Sequence, residues 1–441
     1  MTPHEWLAIG LLIGFFALLM AGVPVGITLA ASGFVFGFMG FGETLFNLLP
    51  ARIYGVVANY QWLAIPLFVF MGVMLEKSRL AEDLLDVIGH LAGGLRGGMA
   101  LGIIAVGVLM GATTGIVGAT VITLGLLTLP TLLRRGYDPA ISCGAICASG
   151  TLGQIIPPSL VLILLSDIMQ QSVGTLFAAA VMPGLMLAAL YCLYIVIYGM
   201  VRPNSMPPVP KAERDAMPRG ELWLRVFKVA LPPLALVLAV LGSIIGGVAA
   251  PTEAASMGAL GSIVVVALAR RLTLDVLRDV MRTTTRISAM VLFILICAQV
   301  FSLAFRGLHG EKLIEDLFAF LPGGVSAEIW FLMALIFVLG FFLEWIEISY
   351  IAVPLFLPIF NAAGVDPVWL AMLITVNLQT SFLTPPFGWA LFFLRGVAPP
   401  QITTRHIYVG IIPFVALQAL GVVLVFYFPA IATWLPKAIG W

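Results

Sequence analysis

Two adjacent prolines, Pro157-Pro158, stand in Leu152-Gly153-Gln154-Ile155-Ile156-Pro157-Pro158-Ser159, inside a segment (140–168) that is otherwise apolar enough to cross a bilayer. Proline has no N–H and its ring clashes with the carbonyl four residues back, so a helix through this segment must break near its middle. The carbonyls of Gly153 and Gln154 then lose their helical partners. Freed backbone groups at membrane depth are tolerated only where protein or a watery cavity receives them, and there they can bind something. The feature occurs twice. At an offset of 228 residues, Pro157 and Pro158 correspond to Pro385 and Pro386 of Leu383-Thr384-Pro385-Pro386-Phe387-Gly388. Leu129-Pro130 corresponds to Leu357-Pro358 at the same offset, and Gly136, Asp138 and Pro139 to Gly364, Asp366 and Pro367. The chain reads as a duplicated unit built around two broken helices.

Hydrophobic residues make up 61% of the chain, charged residues 10%, and mean hydropathy is +1.12; a soluble domain is about 45–50% apolar. The expected fold class is an all-α polytopic membrane protein. A net charge of +1, with basic residues scattered through loops, gives no sign of a nucleic-acid partner. The start, Met1-Thr2-Pro3-His4-Glu5-Trp6, lacks a basic n-region, so the first apolar run reads as a retained span. Cys143, Cys147, Cys192 and Cys297 lie in apolar segments without metal-ligand spacing and read as buried thiols.

The first repeat, 1–201, is expected to hold scaffold spans within 6–75 (6–20, 23–40 and 54–75), an amphipathic arm at 77–92, a hairpin at 99–133, the broken helix at 140–168 and a span at 174–201. The hairpin is inferred because its first limb, 99–112, would reach only about 20 Å, too short to span alone. Residues 202–222 form a polar linker. The second repeat, 223–441, restarts with scaffold spans within 226–305 (226–245, 252–269 and 286–305). An arm at 311–321, a hairpin at 329–360, a broken helix at 368–394 and a last span at 407–435 complete it. Five spans per repeat is odd, so the second repeat enters the membrane inverted, the plan of secondary transporters with a site near mid-membrane. Arg134-Arg135 and Arg270-Arg271 leave the orientation open.

Two hairpin tips facing two broken helices would gather half-helix ends and unpaired carbonyls. Hard cations take oxygen ligands, which those carbonyls and the hydroxyls of Thr113, Thr114, Thr120, Ser159 and Thr384 can supply. Equally, such hydroxyls bond back to helix carbonyls in many membrane helices. Half-helix N-termini favour an anionic group. Glu344 and Glu347 share a helix face, and no other charge lies between 329 and 360. A carboxylate pair at membrane depth is either functional or reaches water or an internal partner. Thr252 suits an N-cap and Glu253 the positive end of the helix that follows, with ion conduction as the other reading of Glu253. Asp167 and Arg395, also 228 apart, mark the far interfaces. His4-Glu5-Trp6-Leu7-Ala8 lacks the second histidine of a zinc helix, and Glu76-Lys77-Ser78 lacks a phosphate-binding glycine loop. No enzyme site can be assembled, and a gradient-driven carrier is the economical reading.

Several of these segments resemble one family. Gly136-Tyr137, Gly153 to Ser159, Pro251-Thr252-Glu253-Ala254-Ala255, Phe342-Leu343-Glu344-Trp345-Ile346-Glu347-Ile348 and Leu383 to Gly388 are similar to the large membrane subunit (DctM type) of tripartite ATP-independent periplasmic (TRAP) transporters. The resemblance implies sodium-coupled uptake of an organic acid, usually a carboxylate, across the bacterial inner membrane by an elevator motion. It implies a small four-helix membrane subunit (DctQ type) and a periplasmic substrate-binding protein (DctP type) as partners. By carry-over, one Na+ site would involve Thr114, Gly118, Gly153, Pro157 and Ser159, and the other Glu344, Thr384, Pro385 and Pro386. Substrate would meet Thr113, Thr114, Gly115, Glu344 and Glu347. The first tip, Thr113-Thr114-Gly115-Ile116, departs from the family's serine-rich form, though threonine offers the same oxygen. A stand-alone ion-coupled (Na+ or H+) organic-anion carrier without a binding protein is the alternative.

Overall fold

The computed structural model describes residues 2–441 except 79, 93, 116, 211–217 and 320, and all side chains among them except those of 46, 80, 81, 86, 112–114, 219, 317 and 319. Among the described residues the chain is helical without strands. The first half runs α1 (Pro3–Met20), α2 (Val25–Phe41), α3 (Thr44–Val57), α4 (Ala64–Lys77), α5 (Leu80–Ala92), α6 (Gly98–Thr114), α7 (Val117–Arg134), α8 (Pro139–Leu152), α9 (Leu160–Ile168) and α10 (Val173–Val201). The second runs α11 (Arg219–Val229), α12 (Leu231–Ile245), α13 (Pro251–Leu268), α14 (Leu274–Gly307), α15 (Gly310–Ala319), α16 (Gly324–Leu339), α17 (Trp345–Ala362), α18 (Pro367–Leu383), α19 (Trp389–Val397), α20 (Thr404–Tyr427) and α21 (Ala430–Ala438). Among the described residues eight helices are long and apolar enough to cross a membrane, and the pair Asn47–Val57 and Tyr60–Lys77, bent by 48°, is a ninth candidate.

The repeated residues do matching local work. Gly136 and Gly364 take left-handed φ values of 78° and 73° after α7 and α17, where a side chain would be strained. Asp138 Oδ1 then accepts from the N–H groups of Ala140 (2.7 Å) and Ile141 (3.3 Å), with Pro139 opening α8. Asp366 Oδ1 does the same for Val368 (2.8 Å) and Trp369 (3.2 Å), with Pro367 opening α18. Packing is paired in the same way. α2 lies on α14 as α13 lies on α4; α8 on α20 as α18 on α10; α6 on α8 as α16 on α18. Each hairpin also crosses to the other half, α7 onto α19 and α17 onto α9.

Four expectations are corrected. The span at 54–75 is two helices, because Asn59 Oδ1 caps the next turn through Gln61 N–H (3.0 Å) and ends α3. The span at 286–305 belongs to a helix of 34 residues that starts at a Thr273 cap, where Val276 N–H meets Thr273 Oγ1 at 3.2 Å. The last span stops at Tyr427, ahead of Pro429, and α21 is separate. Thr252 is not an N-cap: Ala250 is, and Glu253 accepts its N–H at 2.9 Å.

Following the chain through its spans puts Lys77, Arg96, Arg134, Arg135, Arg202, Arg225, Lys228, Arg270, Arg271, Arg278, Arg282, Arg286, Arg395 and Arg405 toward one end. Among the described residues the opposite end holds only Arg52, Arg306, Lys312 and Lys437. Contacts between distant loops agree with this division. At the basic end Gly97 N–H donates to Met206 O (3.2 Å) and Asp138 N–H to Ser205 O (2.8 Å). There Arg271 also bridges Asp83 (2.8 Å) and Ser78 O (2.9 Å). At the other end Lys312 meets Glu5 (3.4 Å) and Asn59 meets Asp167 (2.8 Å).

Candidate functional site

The first break spans 153–159. Leu152 O still accepts from Ile155 and Ile156, but the partners that Gly153 O and Gln154 O would have in a helix are Pro157 and Pro158. The Ser159 hydroxyl reaches back to Gln154 O, so that carbonyl keeps a partner, while Gly153 O has none among the described residues. Because Ser159 is turned backward, its side chain does not cap α9. The first-turn N–H groups of α9 therefore face the break with the helix's positive end. Among the described residues Gly153, Gln154, Pro157 and Ser159 are all buried.

The second break, 384–388, is built alike but not identically. Thr384 Oγ1 donates to Thr380 O (2.7 Å), Gly388 N–H to Thr384 O (3.0 Å) and Tyr408 Oη to Pro386 O (3.2 Å). Phe382 O, whose helical partner would be Pro386, has no partner among the described residues. No side chain caps α19, so a second positive helix end opens on a break. Both Pro-Pro bonds, 157–158 and 385–386, are cis.

Each hairpin lies across its own half's break. A methyl on Gly111 would collide with Gly153 Cα and sit 2.7 Å from Gly153 N; one on Gly115 would sit 3.4 Å from Leu160 N, at the start of α9. In the second half a methyl on Gly340 would meet the Ser381 hydroxyl, and Phe341 and Phe342 stack near Phe387 at 6.4 and 5.7 Å. The structure therefore brings Gly115 to Ser159, and the tip before Glu344 to the Thr384-Pro385-Pro386 turn. It does not bring Gly118 there, since Gly118 faces the Phe393 ring of α19. The side chains of Thr113 and Thr114 lie outside the described residues.

Glu344 and Glu347 divide their roles. Glu347 is buried and its Oε2 accepts the Glu344 N–H at 2.8 Å, so one carboxylate closes the N-terminus of α17. Glu344 is half-buried at the tip. Glu253 is exposed and occupied as a cap.

Sequence reasoning missed a buried polar layer at and just before the breaks. Gln154 and Gln379 are 1% and 0% exposed, and neither end of either amide has a protein partner among the described residues. Thr151, which the 228 offset pairs with Gln379, accepts from Gln418 Nε2 (3.2 Å), and Asn377 Nδ2 donates to Met333 O (2.7 Å). The run Asn377-Leu378-Gln379-Thr380-Ser381 is unusually polar for a buried helix and was the available signal.

A family model described as "Tripartite ATP-independent periplasmic transporter, DctM component" matches residues 12–431. The C4-dicarboxylate TRAP transporter large permease protein of Pseudomonas aeruginosa is 32% identical over 89% of this chain and 90% of its own. The ectoine TRAP transporter large permease protein of Halomonas elongata is 30% identical over 95% of this chain and 96% of its own. The YdaH transporter of Alcanivorax borkumensis has a similar fold, with a TM-score of 0.62 at 16% identity over 88% and 89% of the two chains. With both broken helices, their hairpins and this match along nearly the whole length, the chain belongs to the TRAP transporter family as its large, multi-pass membrane permease component, DctM.

Proposed function

We propose that this permease imports a small organic acid in symport with Na+, with α6–α9 and α16–α19 moving as one body against a scaffold of α1–α4 and α11–α14. The observation that carries the reading is the doubled break. Each break has a carbonyl without a partner among the described residues, Gly153 O or Phe382 O, and is followed by an uncapped helix N-terminus, offering oxygen to a cation and a positive dipole end to a carboxylate. The related permeases named for C4-dicarboxylate and ectoine support a small carboxylate-bearing substrate. A small membrane subunit and a periplasmic binding protein are the partners we assign, in line with the tripartite family. The excess of Lys and Arg at one end supports reading that end as cytoplasmic and the Arg52 and Arg306 end as the side of delivery.

The test follows the unfolding temperature of the detergent-purified chain against Na+ at constant ionic strength, with K+ and choline as controls. A ligand that binds only the folded state stabilises it by about 2.7 kcal/mol at a hundredfold excess over Kd. Na+ is expected to stabilise the wild type specifically, and Thr114→Val and Thr384→Val each to weaken the response. Equal curves for all three cations would remove the Na+ assignment and turn attention to H+ coupling through Glu344.

A further inference from the structure

The second limbs of the two hairpins carry prolines 228 residues apart, Pro130 in α7 and Pro358 in α17. Each proline frees the carbonyl four residues back, which is that of Leu126 in α7 and of Pro354 in α17. In α17 a scaffold side chain takes the freed oxygen: Arg306 of α14 donates from Nη2 to Pro354 O at 3.2 Å while its Nε meets Glu311 at 3.3 Å. Beside it Asn59 Nδ2 donates to Asp167 Oδ1 at 2.8 Å, tying α9 to the segment before α4. α17 packs along α14, and the polar cavity left between them, with Arg52, Gln299 and Tyr350 in its wall, is about 170 Å³.

The equivalent place at the basic end is open. A cavity of about 420 Å³ separates Thr123, Leu126 and Leu127 of α7 from Glu76 and Lys77 of α4 and Asp279 of α14. The arms of the two halves align at an offset of 230, which sets Arg306 opposite Glu76 and next to Lys77. Lys77 thus stands at the end of its scaffold helix as Arg306 does, across a gap from the carbonyl that Pro130 frees. It is exposed and makes no hydrogen bond or ion pair among the described residues.

We propose that Arg306 with Pro354 O and Lys77 with Leu126 O are alternating docking contacts, made one at a time as the moving body travels, and that this structure is the state with the first made and the second open. The proposal rests on the moving-body reading above. Both side chains are positioning residues, and neither needs to touch substrate.

The experiment measures the rate at which a water-soluble maleimide modifies Thr123→Cys, in the basic-end cavity, or Gln299→Cys, in the opposite one, in detergent-purified full-length protein. The native cysteines, three buried and one half-buried, give the background rate. Arg306→Met is expected to speed Gln299→Cys by about tenfold, the worth of one charge-assisted hydrogen bond, and to slow Thr123→Cys. Lys77→Met should slow Gln299→Cys by a similar factor, while Arg306→Lys and Lys77→Arg keep wild-type rates. The proposal is overturned if the two Met variants shift the Gln299→Cys rate in the same direction or leave it unchanged. If Na+ alters the wild-type rates while the substitutions do not, only the paired contacts fail. If Na+ and every substitution leave both rates fixed, the moving body fails with them.

Discussion

Gly111→Ala is expected to abolish transport and to leave little folded protein after extraction. The α6 backbone crosses α8 at this residue so closely that an added methyl collides with Gly153 Cα and lies 2.7 Å from its N. Both obstacles are backbone, and Gly153 begins the first break, so neither rotates aside. Overpacking a tight contact costs about 1–3 kcal/mol where side chains can adjust, and a rigid backbone contact belongs at or above the top of that range. Gly340→Ala, at the equivalent crossing, meets the Ser381 hydroxyl and also collides with Ser381 Cβ, which rotation cannot move aside, so a defect of similar size is expected. Gly89→Ala, with nothing within 4 Å, should be neutral or stabilising by about 0.4–1 kcal/mol. Unfolding temperature and recovery in size-exclusion chromatography compare the three. A Gly111→Ala protein with the wild-type unfolding temperature would mean that hairpin and break are not in contact.

Much of this architecture was legible because proline and the Gly…Asp-Pro pattern act locally. Pro157-Pro158 and Pro385-Pro386 end helices wherever they stand, and Asp138-Pro139 and Asp366-Pro367 start them, so both breaks and both preceding turns fall where the sequence places them. Boundaries were lost where one polar side chain settles the matter, as Asn59 does in an apolar run that hydropathy reads as a single span. The functional groups were less legible. Glu347 looked like a membrane carboxylate awaiting a ligand, but three residues is also the spacing at which a glutamate closes its own helix start. Gly118 and Gly153 are both glycines near a tip or a break. Only the path of α7 toward α19 shows that Gly118 serves a crossing between halves. The charge asymmetry between the two ends emerged the same way: single Arg pairs gave no answer, whereas the full set of loop positions is lopsided.

Gln379→Met is expected to stabilise the protein and to stop transport. Gln379 is fully buried in α18, one turn before the second break, with neither its Oε1 nor its Nε2 bonded to protein among the described residues. An unmet buried polar group costs about 1–3 kcal/mol, and an apolar side chain of similar length removes that cost without opening a cavity. Asn377, two residues earlier, supplies the contrast. Its Nδ2 donates to Met333 O at 2.7 Å, so Asn377→Leu removes a buried hydrogen bond between α18 and α16 and should destabilise. Opposite signs at two neighbouring amides would separate a structural polar group from one held in reserve. If Gln379→Met raises the unfolding temperature and uptake into proteoliposomes with the partner subunits stops, the amide is kept at a stability cost because something polar must pass it or rest on it. Should uptake continue, the amide is only a cost. A lower unfolding temperature would mean that the amide is bonded after all, through water, and would end its candidacy as a transport residue.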